Sequence, residues 1–162
     1  MIVKWPGITK PDTQTDQKVI IEDYFTTVLE MAGVKNEKPV QKVDGQSFVP
    51  ILKGQMLPEN RPLFWHYPNE WGVSGPGIGA SSTVRLGDWK LIYFHADLHL
   101  ELYNIKDEIG EHHNLVETEP EKSEELAKVL SDYLREVRAQ MPVEKATGKI
   151  VPYPYEVVKE LK

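Results

Sequence analysis

Three short apolar runs in quick succession constrain this chain more than any other feature. Thr83-Val84-Arg85-Leu86, Lys90 to His95 and Leu98 to Tyr103 are separated only by Gly87-Asp88-Trp89 and by Ala96-Asp97. Connections this short leave no room for a crossover, so the runs are expected to be antiparallel neighbours in a meander. In the last run Leu98, Leu100 and Leu102 alternate with His99, Glu101 and Tyr103, the pattern of a sheet with one buried and one wet face. Leu63 to Tyr67 supplies a further strand. A helix must cover the buried face, and Leu126, Val129/Leu130, Tyr133/Leu134, Val137 and Met141 form one apolar stripe at helical spacing. Thr118-Glu119-Pro120-Glu121 reads as its capping box and Pro142 as its stop. The expected fold is α+β: a four-stranded antiparallel sheet packed by a long helix near the carboxy end.

Upstream, Ile2-Val3-Lys4-Trp5 reads as a short strand stopped by Pro6-Gly7, and a chain opening inside a strand is expected to have lost an upstream neighbour. Ile21, Tyr24/Phe25, Val28/Leu29 and Ala32 recur at helical spacing before Gly33, predicting a helix from about 22 to 32. Residues 35 to 62 are rich in proline and charge, a loop pinned by one short element at Phe48, Val49, Ile51 and Leu52. Pro68 to Ser82 carries Gly72, Gly75, Gly77 and Gly79, which suits a long structured loop.

Several function classes are unfavoured. A net charge of -6 with no extended Lys/Arg cluster argues against nucleic acid, whose binding needs concentrated positive charge. No apolar run approaches the roughly 20 residues needed to span a bilayer, and the amino terminus lacks the apolar region of a signal peptide. The sequence contains no cysteine, which removes disulfides, thiolate metal sites and a cysteine nucleophile together.

No zinc-protease helix, phosphate-binding loop, nucleophile elbow or EF-hand loop occurs. Gly75-Pro76-Gly77-Ile78-Gly79 lacks the strand, helix and Lys-Ser/Thr pair of a phosphate cradle. His112 and His113 are adjacent and point apart, so they read as surface residues. His95 and His99 could meet across the Ala96-Asp97 turn, but with no third ligand they too read as surface residues. His66 differs, because it ends an aromatic strand directly before the glycine-rich loop. With Asn69 and Trp71 nearby it offers hydrogen bonds and flat apolar surface, the two things a sugar ring needs. A histidine that merely helps aromatics close one end of the core is the alternative.

These residues also carry a family resemblance. Ile2 to Gly7, Asp23 with Thr27-Val28-Leu29-Glu30-Met31-Ala32-Gly33, Asp44-Gly45-Gln46-Ser47-Phe48 and Pro50-Ile51-Leu52 resemble the second half of sulfatases in the alkaline phosphatase superfamily. Arg61 to Pro68, Val84 to Ile92, Glu101 to Ile105, then Glu111 and Asn114-Leu115 continue the match in order. Thr26 stands where such helices usually carry proline, and Glu108-Ile109 where aspartate and proline are usual.

The resemblance implies a strand and helix in residues 1–60 at the edge of a large α/β sulfatase domain. Residues 61–162 would be the carboxy-terminal sheet-and-helix subdomain. It implies a formylglycine nucleophile made from the first residue of Cys/Ser-x-Pro-x-Arg, and calcium in the parent enzyme. This chain has neither that motif nor an aspartate-rich site. Alone it is therefore expected to be inactive, with His66, Asn69 and Trp71 contacting a sulfated glycan and an amino-terminal catalytic domain supplying the chemistry. A periplasmic or extracellular location is implied by the family. The competing expectation is a free-standing, non-catalytic glycan-binding or interaction module of the same fold.

Overall fold

The meander forms as its spacing requires. Strands β1 (Leu63–Tyr67), β2 (Ser81–Leu86), β3 (Trp89–Phe94) and β4 (Leu100–Asn104) pair antiparallel in sequence order, giving one four-stranded sheet. This computed structural model describes residues 1–34, 38–69 and 79–160. They divide into two compact units, Met1–Glu59 and Asn60–Lys162.

In the second unit the register fixes which side chains share a face. His66 lies opposite Ser82, Ser82 opposite Tyr93, and Tyr93 opposite Leu100, while Val84, Leu91 and Leu102 form the adjoining row. Helix α3 (Pro120–Glu136) covers this face and contributes Leu126, Ala127, Leu130 and Leu134, all fully buried with Val84, Leu91, Tyr93 and Leu102. Phe64 of β1 stacks on Tyr133 of α3 with ring centroids 3.8 Å apart. A second short helix, α4 (Pro154–Glu160), adds Val157 and Val158 to the same core and has no counterpart in the sequence reading. Tyr155 donates its backbone N–H to the Ser131 hydroxyl of α3.

Several local expectations are corrected. The amino end of α3 is not a capping box: Glu119 is the cap residue and makes no side-chain cap bond, while Thr118 bonds back to the Leu115 carbonyl. Pro120 occupies the first helical position, where a missing N–H costs nothing. The helix ends at Glu136, six residues before Pro142, because Arg138 turns left-handed at φ 52°. The Ala139 and Arg138 amides then close on the carbonyls of Leu134 and Arg135, a Schellman arrangement usually given to glycine. Leu98, at φ 61°, belongs to the turn and not to β4. The far face of the sheet is not uniformly wet either, since Tyr103 is buried there. Beyond β4, Asn114 accepts the Leu102 and Val116 amides and donates to the Leu100 carbonyl, capping that edge with side-chain bonds.

The first unit is built around polar groups. Helix α1 (Asp23–Met31) closes on Gly33 at φ 71°, with the Val34 and Gly33 amides bonded to the Leu29 and Glu30 carbonyls. Its buried residues are Asp23 and Thr27. The Asp23 carboxylate accepts the amides of Ile20 and Gln46, and the Thr27 hydroxyl accepts the Phe48 amide while donating to the Asp23 carbonyl. Gly45 is needed here because a Cβ at that position would stand 2.0 Å from the Glu22 carbonyl oxygen. Phe48 and Val49 are buried, the latter opening the short helix α2 (Val49–Leu52). The apolar stripe of α1 is not its buried side: Ile21, Phe25 and Val28 are exposed. Residues 2–5 are not a strand, for none of the described residues of this unit offers them a ladder partner; instead the Thr9 hydroxyl binds both the amide and the carbonyl of Trp5.

Candidate functional site

Alternation along β1 sends its side chains two ways. Trp65 and Tyr67 project from the face away from α3 and are 44% and 43% exposed, whereas Phe64 and His66 project toward the helix. His66 is held at both ring nitrogens. Nδ1 is 2.8 Å from the Ser82 hydroxyl directly across the ladder, and Nε2 is 3.1 Å from the Gln140 carbonyl in the segment after α3. Asn69 is exposed two residues beyond the strand. Trp71, with most of the glycine-rich loop, lies outside the described residues.

His95 is the residue that sequence reasoning misplaced. It is not surface decoration: it is 3% exposed, packs edge-on against Tyr93 and His66, and brings Nε2 to 3.0 Å from the same Ser82 hydroxyl. Its backbone N–H donates to the Ala80 carbonyl, which draws the residue inward just past the end of β3. Burial, and after it the neighbouring His66, push its pKa down to about 4 against the opposing effect of the Ser81 backbone. Nδ1 of His95 is buried without a hydrogen bond of acceptable geometry. Strand alternation in β3 continued through Tyr93 would have placed position 95 on the buried face, and that was the available signal.

His99 does not meet His95. It stacks on Phe94 at 4.3 Å and pairs with Asp97 at 2.6 Å. His113 pairs with Glu108 at an exposed site. Among the described residues no three His, Asp or Glu side chains converge as a metal site. No described helix is long and apolar enough to cross a membrane. Ser82, although it touches two imidazoles, is fully buried and so is not presented as a nucleophile.

Comparison with known proteins supplies the context for these parts. The model of the family N-sulphoglucosamine sulphohydrolase, C-terminal, matches residues 1–140. A sulfatase from Formosa agariphila is 32% identical over 142 residues, covering 83% of this chain and 26% of the relative. An uncharacterized sulfatase of Schizosaccharomyces pombe is 28% identical over 134 residues, covering 77% of this chain and 23% of that protein. A solved structure described as a complex with its substrate D-glucosamine-2-N,6-O-disulfate superposes with a TM-score of 0.61 at 27% identity, over 76% of this chain and 25% of the other. The chain thus spans about a quarter of the length of these two relatives. The four-stranded antiparallel sheet and its carboxy-terminal helix are those of the sulfatase carboxy-terminal subdomain, and the chain belongs to the N-sulphoglucosamine sulphohydrolase, C-terminal, family.

Proposed function

We propose that this chain is the carboxy-terminal portion of a sulfuric ester hydrolase acting on sulfated carbohydrate, and that it contributes substrate recognition while an amino-terminal catalytic domain breaks the bond. The observation that carries this reading is the family match across residues 1–140 in a chain that lacks the nucleophile. Hydrolysis of a sulfate ester needs a nucleophile and concentrated positive charge on the group being transferred. Formylglycine and calcium would supply these in the parent protein. The residues here do not fit either group: there is no cysteine, no Ser-x-Pro-x-Arg, and no convergent carboxylate set among the described residues. No chemical step is therefore assigned to this chain.

Sulfated sugars are favoured as substrates by two relatives, the structure bound to D-glucosamine-2-N,6-O-disulfate and the "Ulvan-active sulfatase" of Formosa agariphila. Recognition is assigned to the end of β1 and the residues after it: His66, Asn69 and Trp71. Exposed Asn69 is available to a glycan directly, while His66, half-buried and engaged at both nitrogens, holds the strand end in place. On this reading residues 1–60 belong to the edge of the larger domain, and the parent protein is periplasmic or extracellular.

The test has two arms. The DNA upstream of codon 1 should encode, in frame, a domain with Cys/Ser-x-Pro-x-Arg; an uninterrupted frame without it would overturn the enzyme assignment. The chain alone should release no sulfate from D-glucosamine-2-N,6-O-disulfate, and release would overturn the division of labour. Calorimetric binding of that sugar by the chain alone, weakened by Asn69→Ala, would support recognition at β1.

A further inference from the structure

The side chains of His66, Ser82 and His95 form an unbroken hydrogen-bonded row with a definite direction. The Gln140 carbonyl can only accept, so Nε2 of His66 carries a proton. When His66 is neutral its Nδ1 must therefore accept, and among the described residues the proton available there is that of the Ser82 hydroxyl. Ser82, having donated its proton to His66, must accept from Nε2–H of His95. This leaves Nδ1 of His95 as the buried atom without a partner. The row thus has one self-consistent arrangement of protons whenever both rings are neutral.

We propose that Ser82 and His95 are positioning residues that govern the proton on His66, and that adding one proton to His66 reverses the whole row. Protonated His66 donates from Nδ1 to the Ser82 oxygen. The hydroxyl then turns to donate to Nε2 of His95, which releases its proton to solvent while Nδ1 takes one from solvent, so that His95 stays neutral. The balance is one proton taken from solvent, carried as charge on His66, with Ser82 and His95 each keeping one proton. At the inner end of the row the Ser81 backbone raises the His95 pKa and so favours a proton on that ring. At its outer end the bond from His66 to the Gln140 carbonyl becomes charge-assisted and tightens the tie between β1 and the segment after α3.

Among the described residues, the groups around the row allow this exchange and no second one. From β2 there is Ser82; from β3, Tyr93, whose ring meets His95 at 4.9 Å and whose hydroxyl donates to the Pro152 carbonyl. Burial and Glu156 of α4 raise the phenol pKa, so Tyr93 stays neutral throughout. From the segment after α3 there is the Gln140 carbonyl, which does not titrate. A second proton, on His95, would be buried and would meet the charge on His66, consistent with a value of about 4 for that ring. The consequence for glycan recognition at β1 rests on the reading above, but the row itself does not.

Nitrogen-proton correlation spectra of the histidine side chains in the 162-residue chain, recorded between about pH 8 and 5, decide the matter. His66→Phe assigns the signals. As His66 gains its proton, His95 should remain neutral while its proton moves from Nε2 to Nδ1. In Ser82→Ala, which has no hydroxyl to turn, the tautomer of His95 should no longer follow His66. If Ser82→Ala fails to fold, the wild-type titration still gives the answer. A His95 proton that stays on Nε2 throughout the titration of His66 would overturn the proposal. Because no sugar enters the measurement, this failure is distinct from a failure of glycan binding, which would leave the row standing.

Discussion

The two units use the same helical periodicity to opposite ends. In α3 the apolar stripe is the buried side, and Leu126, Leu130 and Leu134 meet Val84, Leu91 and Leu102 across the sheet. In α1 the stripe faces solvent, and what anchors the helix is a carboxylate and a hydroxyl bonded to backbone amides of a distant loop. Burying hydrocarbon is non-directional and tolerates small shifts, whereas a buried carboxylate must meet each donor at hydrogen-bond distance or lose more than it gains. The second unit therefore has a core of its own, and the first has a latch. An apolar stripe with no cover among the described residues of its own unit is also what the proposed larger domain would be expected to bury.

Substitutions can break or sharpen that contrast. Leu130→Ala removes a fully buried side chain from the α3 core and should cost about 3 kcal/mol in urea denaturation, with loss of cooperativity in residues 60–160. Asp23→Ala leaves the Ile20 and Gln46 amides without their acceptor and should cost roughly 2 kcal/mol, seen as fast hydrogen exchange at Gln46 while β3 amides stay protected. Equal loss of protection in both units would erase the distinction between them.

Acid should act on the second unit through His95. Its folded value, about 4, lies below the unfolded 6.5, so the unfolded state binds the extra proton between these values. Stability should therefore fall by roughly 3 kcal/mol as pH drops through that window and level off below it, as followed by melting temperature against pH. His95→Phe should flatten the profile. The smallest effect is expected at the exposed stripe: Val28→Ser should change stability by no more than about 0.5 kcal/mol yet reduce binding of an apolar dye, and a large destabilisation would show that the stripe is covered after all.

Much of the second unit was legible because its signals are local. Hairpin spacing, period-two alternation and the α3 stripe are each read between near neighbours in the chain, and β1 is found where Leu63 to Tyr67 predicts it. What escaped notice depended on contacts or on unusual backbone. Arg138 in a left-handed cap carries no glycine signature, and α4 is a single short turn pair whose apolar residues matter only once α3 is beside them. In the site, His66 stood out from its neighbours in sequence, but its partners did not. Ser82 lies 16 residues away and Gln140 lies 74 residues away, and neither spacing belongs to any motif.

By itself the sequence determined the family, the antiparallel order of the strands, the position of the covering helix and the absence of a cysteine nucleophile, because each of these is written in residue type or near-neighbour spacing. Only the tertiary structure decided that His95 is buried, that Ser82 joins it to His66, and that the stripe of α1 faces outward. Those outcomes depend on which distant surfaces meet, and periodicity states that a face is apolar without stating what will cover it.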